Sequence, residues 1–528
     1  MQVVEDAAVK CLLPSPVADI VLERVDRSEL LKDRGETKEI LVCWDQDEME
    51  VLSHVVDEHC SAQYANSIPS PIHREYTWPG SFKPFDHQLN TAGFLSIRRR
   101  AFCFNEAGTG KTSAAIWAAD YLMNIGAVKR VLVICPLSIM YTAWQSDIFK
   151  TAMHRSAAVA HGDRAKRAKI IGNAYDFVII NYDGVEVVRE NIEQGGFDLI
   201  IVDEANAYKS PTTKRWKTLT RILKPSTRLW MMTGTPASQS PVDAFGLARM
   251  VSPHRVPKYL TAWRDRVMVQ MSRFKWVPRP NSRHLVFDAL QPAIRYTKKE
   301  CLDLPDVTYQ TRLVPLTPQA NRYYKLLKTQ MLIEAAGEQI SAVNAAASIN
   351  KLLQISGGAV YTDKREVVEF DVSNRLSALK EVLDEASHKV IVFVPYIHTI
   401  EVVTKFLNSH GVSNSVIKGD VSARGRSEII NQFQSQQDPR VLVIQPQSAS
   451  HGVTLTAADT IVFWSPVMSV ETYIQCIGRI DRVGQKHKMT VVHLQGSEVE
   501  RRVYAMLQGK VDSHLKLVDL YKQELEEV

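Results

Sequence analysis

The stretch that most constrains this chain is Ala101-Phe-Cys-Phe-Asn-Glu-Ala-Gly-Thr-Gly-Lys-Thr112. Its apolar start predicts a buried strand, and the breaker-free segment Ser113–Leu122 predicts a helix. A glycine-bearing turn between them can hold phosphate, because backbone N–H groups and the positive end of the helix face the anion. Lys111 adds a charge, and Thr112 offers a hydroxyl to Mg²⁺. The stretch therefore predicts a nucleotide site, with an incidental glycine-rich turn as the alternative.

One position of this loop departs from the usual pattern. Asn105 stands where a phosphate loop normally has its first glycine. Asparagine tolerates positive φ better than most residues, so we expect the turn to survive.

Composition places the chain among globular proteins with several domains. Its 528 residues are 45% apolar and 23% charged, which predicts about two to four domains. The first ten residues include Glu5 and Asp6 and no apolar core, so no secretory signal is expected, and no apolar run reaches the roughly 20 residues that span a bilayer. The seven cysteines are scattered, which argues against zinc and disulfides and favours the cytoplasm.

Four further apolar runs follow the loop, and each ends in polar residues. Strands that are apolar throughout and separated by helix-length segments indicate a parallel sheet covered on both faces. Function in such sheets gathers at the carboxyl ends of the strands. The predicted strands are Val131–Cys135, Phe177–Ile180, Asp198–Val202 and Leu229–Met232.

Three side chains outside the loop have predicted roles in nucleotide chemistry. Asp203 directly follows a buried strand, where its carboxylate can hold, through water, the Mg²⁺ that Thr112 also contacts. Glu204 can orient the water that attacks the γ-phosphate. Gln88, about one helix upstream of the loop, can bind the adenine edge with its amide, although a surface glutamine is the commoner explanation.

The chain divides into five predicted segments. They are a small acidic domain (1–72), a first α/β unit with the phosphate loop (73–251), a mostly helical, basic insertion (252–372), a second α/β unit (373–500) and a helical tail (501–528). Charge is distributed unevenly: residues 1–60 carry 15 acidic and 6 basic side chains, a balance of −9, whereas residues 252–300 carry 3 and 11, a balance of +8. A basic block with interleaved aromatics indicates a polyanion partner, but a solvated surface explains it equally well.

The second α/β unit has no phosphate loop but carries two arginines three residues apart. On a helix, Arg479 and Arg482 would share one face. Guanidinium groups suit the charge that develops on a transferring phosphoryl group, although a surface pair is the usual explanation for this spacing. The predicted strands of this unit are Val390–Val394, Ser415–Ile417, Val441–Ile444, Thr460–Phe463 and Thr490–His493.

Taken in order, the motifs resemble one family. They are Gln88, Gly108-x-Gly-Lys-Thr112, Asp203-Glu-Ala-Asn206, Thr233-Gly-Thr-Pro236, His451-Gly-Val-Thr-Leu455 and Gln475-x-x-Gly-Arg-x-x-Arg-x-Gly-Gln485. The series resembles the Swi/Snf (sucrose-non-fermenting) family of superfamily-two helicase-like ATPases, over residues 78–510. Asn206 stands where that family commonly has histidine, and Ser450 replaces a glycine, which bears on coupling more than on hydrolysis.

The resemblance implies an α/β fold with two RecA-like parallel-sheet lobes, a mostly helical insertion between them and a small N-terminal α+β domain. It implies a compact bacterial or phage motor that uses ATP and Mg²⁺ to translocate on double-stranded DNA as a monomer, with no membrane partner and with a protein partner left open. Two rivals remain: a strand-separating DNA or RNA helicase, and an ATP-gated DNA clamp that recruits a partner, which Asn206 favours.

The resemblance also implies roles for individual residues. Catalysis is assigned to Glu204, Gln475, Arg479 and Arg482, and coupling to Thr233, Gly234 and Thr235. ATP binding is assigned to Gln88, Asn105, Glu106, Ala107, Gly108, Thr109, Gly110, Lys111 and Thr112, and Mg²⁺ to Thr112 and Asp203. The expected nucleic-acid contacts are Ser138, Asn181, Tyr182, His451, Gly452, Arg273, Lys275 and Arg279. The opposed charges add the hypothesis that the N-terminal domain lies over the insertion and competes with DNA, against the alternative that the two surfaces never meet.

Overall fold

The computed structural model describes residues 1–237, 240–272, 275–337, 342–361, 367–448 and 453–509. The chain forms two units, one spanning Met1–Leu302 and the other beginning at Asp303. Three predicted nucleic-acid contacts, Arg273, His451 and Gly452, lie outside the described residues, as does the tail beyond residue 509. No described helix combines the length and apolar character needed to cross a bilayer.

The first unit opens with a small α+β domain, as the sequence predicts. Four antiparallel strands are ordered β1-β2-β4-β3, and helices pack on the apolar face of this sheet, around Val9, Ile40 and Leu52. The elements are β1 Gln2–Val4, β2 Ala8–Pro14, α1 Ser15–Arg24, β3 Ser28–Asp33, β4 Thr37–Cys43, α2 Gln46–His59, α3 Ala62–Asn66 and α4 Ile72–Glu75.

The rest of the first unit, called the first lobe, alternates strands and helices. Its elements are α5 Asp86–Ser96, β5 Arg100–Cys103, α6 Lys111–Asn124, β6 Val131–Cys135, α7 Ser146–Thr151, β7 Ala157–Val159, α8 Arg164–Gly172, β8 Phe177–Asn181, α9 Tyr182–Val187, α10 Arg189–Gln194, β9 Leu199–Asp203, α11 Lys214–Ile222, β10 Arg228–Met232, α12 Ala244–Val251, α13 Leu260–Val267, β11 Met268–Ser272, β12 Lys275–Pro278, α14 Ser282–Ala289, β13 Ala293–Ile294 and α15 Lys298–Cys301.

Seven of these strands form one parallel sheet in the order β13-β5-β10-β9-β6-β8-β7. Successive residues of each strand enter opposite cores: Leu132 and Ile134 face one, and Val131 and Val133 face the other. Burial on both faces explains why these strands are apolar throughout. All strand carboxyl ends therefore lie along one edge of the sheet, where the phosphate loop and Asp203 are found.

The segment predicted as one insertion, residues 252–372, is divided between the two units. Its first part packs in the first lobe, where Trp263, Val267 and Val286 join the core and β13 extends the sheet. Its second part belongs to the second unit and contributes β14, a strand that the sequence pattern did not indicate. The first part also carries a two-stranded hairpin of β11 and β12.

The second unit contains the second predicted parallel sheet, ordered β14-β21-β20-β17-β19-β18. Its two faces are covered by cores that include Ile391 and Phe463 on one side and Val392 and Val462 on the other. The elements are β14 Val307–Leu313, α16 Pro318–Gly337, α17 Ala342–Gly357, β15 Ala359–Tyr361, β16 Val367–Glu369, α18 Ser373–Glu385, β17 Lys389–Phe393, α19 Ile397–Ser409, β18 Asn414–Ile417, α20 Ala423–Ser435, β19 Val441–Ile444, β20 Ala458–Phe463, α21 Val470–Ile477 and β21 Met489–Gln495. Residues 498–509 are helical.

The N-terminal domain is attached to the amino-terminal edge of the first lobe's sheet. Glu50 on α2 forms ion pairs with Arg99 and Arg228, which lie at the starts of β5 and β10. On the same helix, Asp57 forms an ion pair with Arg98. This domain therefore lies at the opposite edge of the sheet from the phosphate loop.

Candidate active site

The phosphate loop (residues 105–112) has the backbone that a phosphate cradle needs. Gly108 and Gly110 have φ values of 93° and 77°, which favour glycine, and α6 begins at Lys111. A Cβ atom on Gly110 would lie 1.9 Å from Nε2 of Gln88, so a larger residue there would displace the end of the Gln88 side chain. The Gln88 Oε1 atom accepts a hydrogen bond from the Phe85 backbone N–H at 2.9 Å. Gln88 is therefore held against the loop.

The side chain of Asn105 has a structural role in the loop that the sequence did not predict. The turn is formed, as expected, but the φ of Asn105 is not positive, so the tolerance of asparagine for positive φ is not what preserves it. Its side chain is 1% exposed. The Nδ2 group donates to the Thr91 hydroxyl at 2.8 Å, and Oδ1 accepts from the Tyr296 backbone N–H at 2.9 Å. The amide thus joins α5 to the segment after β13, and any contact of Asn105 with a nucleotide would come from its backbone.

The acidic end of β9 is fixed by three neighbours. Asp203 is buried, and its Oδ2 accepts from Nε1 of Trp144 at 3.0 Å while its Oδ1 accepts from the Glu204 backbone N–H at 3.0 Å. The Tyr182 hydroxyl donates to the Asp203 carbonyl at 2.7 Å. Glu204 adopts left-handed backbone angles (φ 49°, ψ 54°), which are strained for a non-glycine residue.

The charges of Lys111 and Asp203 both act on the buried thiol of Cys103, the last residue of β5. Burial raises the pKa of the Cys103 thiol to about 11, a rise that the Asn105 N–H and the Lys111 charge oppose and that Asp203 increases. Among the described residues, no group of three or more His, Cys, Asp and Glu side chains converges as a metal site. A Mg²⁺ ion would therefore depend on Asp203, Thr112 and oxygens of the nucleotide itself.

The turn Thr233-Gly-Thr235 connects the phosphate loop to the acidic end of β9. The Thr233 backbone N–H donates to the Cys103 carbonyl at 3.0 Å. A Cβ on Gly234 would lie 3.3 Å from the backbone N of Ala107. Nδ2 of Asn206 donates to the Thr235 carbonyl at 2.9 Å and to its hydroxyl at 3.0 Å. Asn206 thus links the acidic end of β9 directly to the Thr233–Thr235 turn.

In the second unit, Arg479 and Arg482 converge, but for another reason than the one predicted. The helix α21 ends at Ile477, so the expectation that a helix presents both arginines on one face is wrong. Instead, Nη1 of each donates to the Val453 carbonyl, at 3.1 Å and 3.0 Å. Nε of Arg479 also donates to the carbonyl of Gln475, a buried residue of α21.

Three of the predicted nucleic-acid contacts follow strands of the first lobe. Ser138 lies in the turn after β6. Asn181 ends β8, and its Oδ1 accepts from Nη1 of Arg167 at 2.9 Å. The hydroxyl of Tyr182 is already engaged, because it donates a hydrogen bond to the Asp203 carbonyl, and burial raises its pKa well above the usual value, so it stays protonated as a donor. Its geometry favours a supporting role in the acidic site.

The basic block is partly occupied by contacts within the protein. Lys275 lies in β12, and Nε of Arg279 donates to the Asp265 carbonyl at 3.0 Å. Arg255 donates to the carbonyl of Asp57 in the N-terminal domain. The acidic domain and the basic block therefore meet, which excludes the alternative that they never do.

Two family models match this chain. The SNF2-related domain matches residues 87–357, and the helicase conserved C-terminal domain matches residues 374–484. Together they cover every strand of the two parallel sheets except β21.

Individual relatives are distant. An uncharacterized ATP-dependent helicase of Mycoplasma genitalium is 23% identical over 409 residues, which are 76% of this chain and 38% of that protein. The putative protein p41 of Acyrthosiphon pisum secondary endosymbiont phage 1 is 26% identical over 422 residues, 76% of this chain and 89% of the phage protein. A solved Sulfolobus solfataricus SWI2/SNF2 ATPase core in complex with dsDNA covers 85% of this chain and 98% of its own, with 20% identity and a TM-score of 0.42. This chain thus spans well under half of the Mycoplasma protein.

Proposed function

This chain belongs to the SNF2-related domain family, and on that premise we propose that it is an ATP-hydrolysing motor that translocates on double-stranded DNA. The observation that carries the proposal is the contact between three motifs at the carboxyl edge of one sheet. The phosphate loop touches the Thr233–Thr235 turn at Gly234, and that turn is bonded to the acidic end of β9 through Asn206. A change at the nucleotide can therefore reach the acidic end through packed and bonded atoms.

The residues of the first lobe fit ATP and Mg²⁺. Lys111 would face the β- and γ-phosphates, and Gln88 would bind the adenine edge. The carboxylate of Asp203 and the hydroxyl of Thr112 are the hard oxygen donors that Mg²⁺ prefers, and a bound ion would neutralise phosphate charge. Glu204 would orient the attacking water. Arg479, Arg482 and Gln475 of the second unit are assigned to stabilising charge during phosphoryl transfer.

The choice of DNA as the track rests on the family and on charge. Relatives include chromodomain-helicase-DNA-binding proteins, and the hairpin of β11 and β12 lies in a block with a balance of +8. Contacts from Ser138, Asn181, Lys275 and Arg279 to a phosphate backbone would be blind to sequence, as a translocating motor requires.

The decisive experiment is the ATPase rate without nucleic acid and with single-stranded DNA, duplex DNA or RNA. We expect duplex DNA to stimulate most, and we expect displacement of a triplex strand without unwinding of a blunt duplex. Efficient unwinding would instead support a strand-separating helicase. Stimulation by RNA above duplex DNA would overturn the choice of track.

Two variants test the chemistry. Lys111→Ala should abolish ATP binding in a protein that remains folded, because it removes the charge that faces the phosphates. Arg482→Ala should retain binding and lower hydrolysis by roughly 10³-fold, the scale of a lost arginine finger. Arg424→Ala is the matched control, since Arg424 is an exposed arginine of the same unit that pairs with Glu428. Equal activities of the Arg482 and Arg424 variants would remove the arginine-finger role.

A third variant tests the basic block. Replacing Arg273, Lys275 and Arg279 by alanine should flatten the salt dependence of DNA affinity by about 2–3 units if each contacts one phosphate. An unchanged slope would exclude the block from the DNA path.

A further inference from the structure

The segment that leads from the first unit into the second forms several hydrogen bonds to the phosphate loop through its first residues. We call residues 293–302 the connector, because Asp303 begins the second unit. We propose that the connector is a nucleotide-responsive brace and that Arg295 is a positioning residue for the phosphate loop. This inference deepens the proposed function and depends on it for the identity of the ligand.

The first observation is a backbone ladder that continues into the loop. Strand β13 pairs with β5 through Phe102 and Cys103. Beyond the strands, the Phe104 N–H donates to the Ile294 carbonyl at 2.8 Å, and the Glu106 N–H donates to the Tyr296 carbonyl at 3.0 Å. The entry to the phosphate loop is thus a continuation of the sheet, and the connector forms its edge.

The second observation is the position of the Arg295 guanidinium, whose side chain is 5% exposed. Its Nη1 donates to the Phe104 carbonyl at 2.7 Å and to the Gly234 carbonyl at 3.2 Å. Its Nη2 lies 3.4 Å from Oε1 of Glu106. One side chain of the connector therefore joins the entry of the phosphate loop to the Thr233–Thr235 turn.

The third observation is that two side chains of the loop bind backbone of the connector in return. Oδ1 of Asn105 accepts from the Tyr296 N–H at 2.9 Å, and Oε2 of Glu106 accepts from the Lys298 N–H at 3.0 Å. These bonds hold two amides of the connector only while the loop keeps its conformation.

A reciprocal effect follows from these contacts. If the ordered connector stabilises the conformation of the loop that binds nucleotide, then a nucleotide that binds this conformation must stabilise the ordered connector by the same free energy. Because the connector leads directly into Asp303, its stabilisation by nucleotide acts on the residue at which the second unit begins.

The first test compares two buried arginines of the first lobe. Arg295→Met should weaken binding of a fluorescent ATP analogue by roughly 10-fold, within the usual range of coupling between sites. Arg295→Lys, which can keep one of the contacts, should fall between this variant and the wild type. The control is Arg228→Met, since Arg228 is equally buried but lies at the opposite end of β10, paired with Glu50. Both methionine variants should lower the unfolding temperature, but only the Arg295 variant should change nucleotide affinity.

The second test measures hydrogen exchange of the connector amides. ATP should slow exchange of residues 294–301 by roughly 10-fold in the wild type, and the slowing should be smaller in Arg295→Met at saturating nucleotide, where the Asn105 and Glu106 bonds remain but the guanidinium contacts are lost. If the wild type binds nucleotide but its connector exchange does not change, or if both methionine variants lose affinity in proportion to stability, the brace is excluded. If the wild type binds no nucleotide, the proposed function fails instead.

Discussion

Replacing Asp57 by alanine should destabilise the first unit strongly, although Asp57 lies far from the nucleotide loop. Its carboxylate accepts from Nε and Nη2 of Arg98 at 2.9 and 3.0 Å, and the two side chains are 10% and 2% exposed. Removing one partner leaves a buried guanidinium charge without its counterion, which typically costs about 3–5 kcal/mol. At about 2–4 °C per kcal/mol for a body of this size, the midpoint of thermal unfolding should fall by roughly 6–20 °C.

Differential scanning calorimetry of the whole chain at pH 7 measures this change. Arg99→Ala is the control, because Arg99 pairs with Glu50 from a side chain that is 60% exposed, and such pairs contribute about 0–1 kcal/mol. The double variant Asp57→Leu, Arg98→Met should recover most of the loss, since it leaves no buried charge. A shift for Asp57→Ala no larger than that for Arg99→Ala would refute the reasoning from burial.

The same contacts change how a truncation must be interpreted. Deleting residues 1–72 removes Asp57 and Glu50 together and uncovers Ile97, which packs in the N-terminal core. A gain in DNA affinity after this deletion would therefore mix loss of negative charge with loss of stability. Neutralising exposed acidic residues, such as Glu29 on β3, tests competition with DNA without that defect.

Three further predictions concern single residues. Gly110→Ala should abolish binding of a fluorescent ATP analogue in a protein that remains folded. Gly126→Ala is the control, because Gly126 has the same φ of 77° but has nothing within 4 Å of a new Cβ, and it should bind the analogue normally. Loss of binding in both variants would indicate general instability. Asn206→Ala should lower DNA-stimulated ATPase activity by roughly 10-fold, because two hydrogen bonds to Thr235 are lost, and unchanged stimulation would exclude Asn206 from coupling. Burial lowers the pKa of His493 to about 4, so as the pH falls the unfolded chain takes up a proton at this histidine before the folded chain does. In denaturant titrations, the free energy of unfolding of the second unit should be highest above pH 6.5 and should be about 2 kcal/mol lower at pH 5. The His493→Gln variant should not show this fall.

Local sequence determined the elements whose pattern is set by burial. Strand β6 has the predicted bounds Val131–Cys135, and strands β9 and β10 differ from prediction by one residue at one or both ends. A strand covered on both faces must be apolar throughout, so the pattern is visible in the sequence. The phosphate loop can also be recognised from the sequence, because the positive φ values at Gly108 and Gly110 favour glycine at those positions.

Strand β14, at one edge of the second unit's sheet, was not predicted because little of its surface is buried. Strand β14 reads Val-Thr-Tyr-Gln-Thr-Arg-Leu, and most of its side chains are exposed, so no apolar run marks it. Its place beside β21 is fixed by backbone pairing across a long separation in sequence. Strands β7 and β13 were not predicted either, because with 3 and 2 residues they are too short to form a recognisable apolar run. The segment 252–372, expected to be one insertion because it breaks the alternation of strands and helices, therefore contributes to two units.

The supports of the site were decided only by tertiary structure. No sequence pattern links Trp144 to Asp203, Asn206 to Thr235 or Arg295 to the phosphate loop, because each pair comes from separate elements that meet at one sheet edge. The convergence of Arg479 and Arg482 likewise depends on the Val453 carbonyl rather than on helical spacing. Sequence alone specified the groups that the chemistry needs, since their types and local turns are restrictive; the partners that orient them depend on the packing of strands and loops that are distant along the chain.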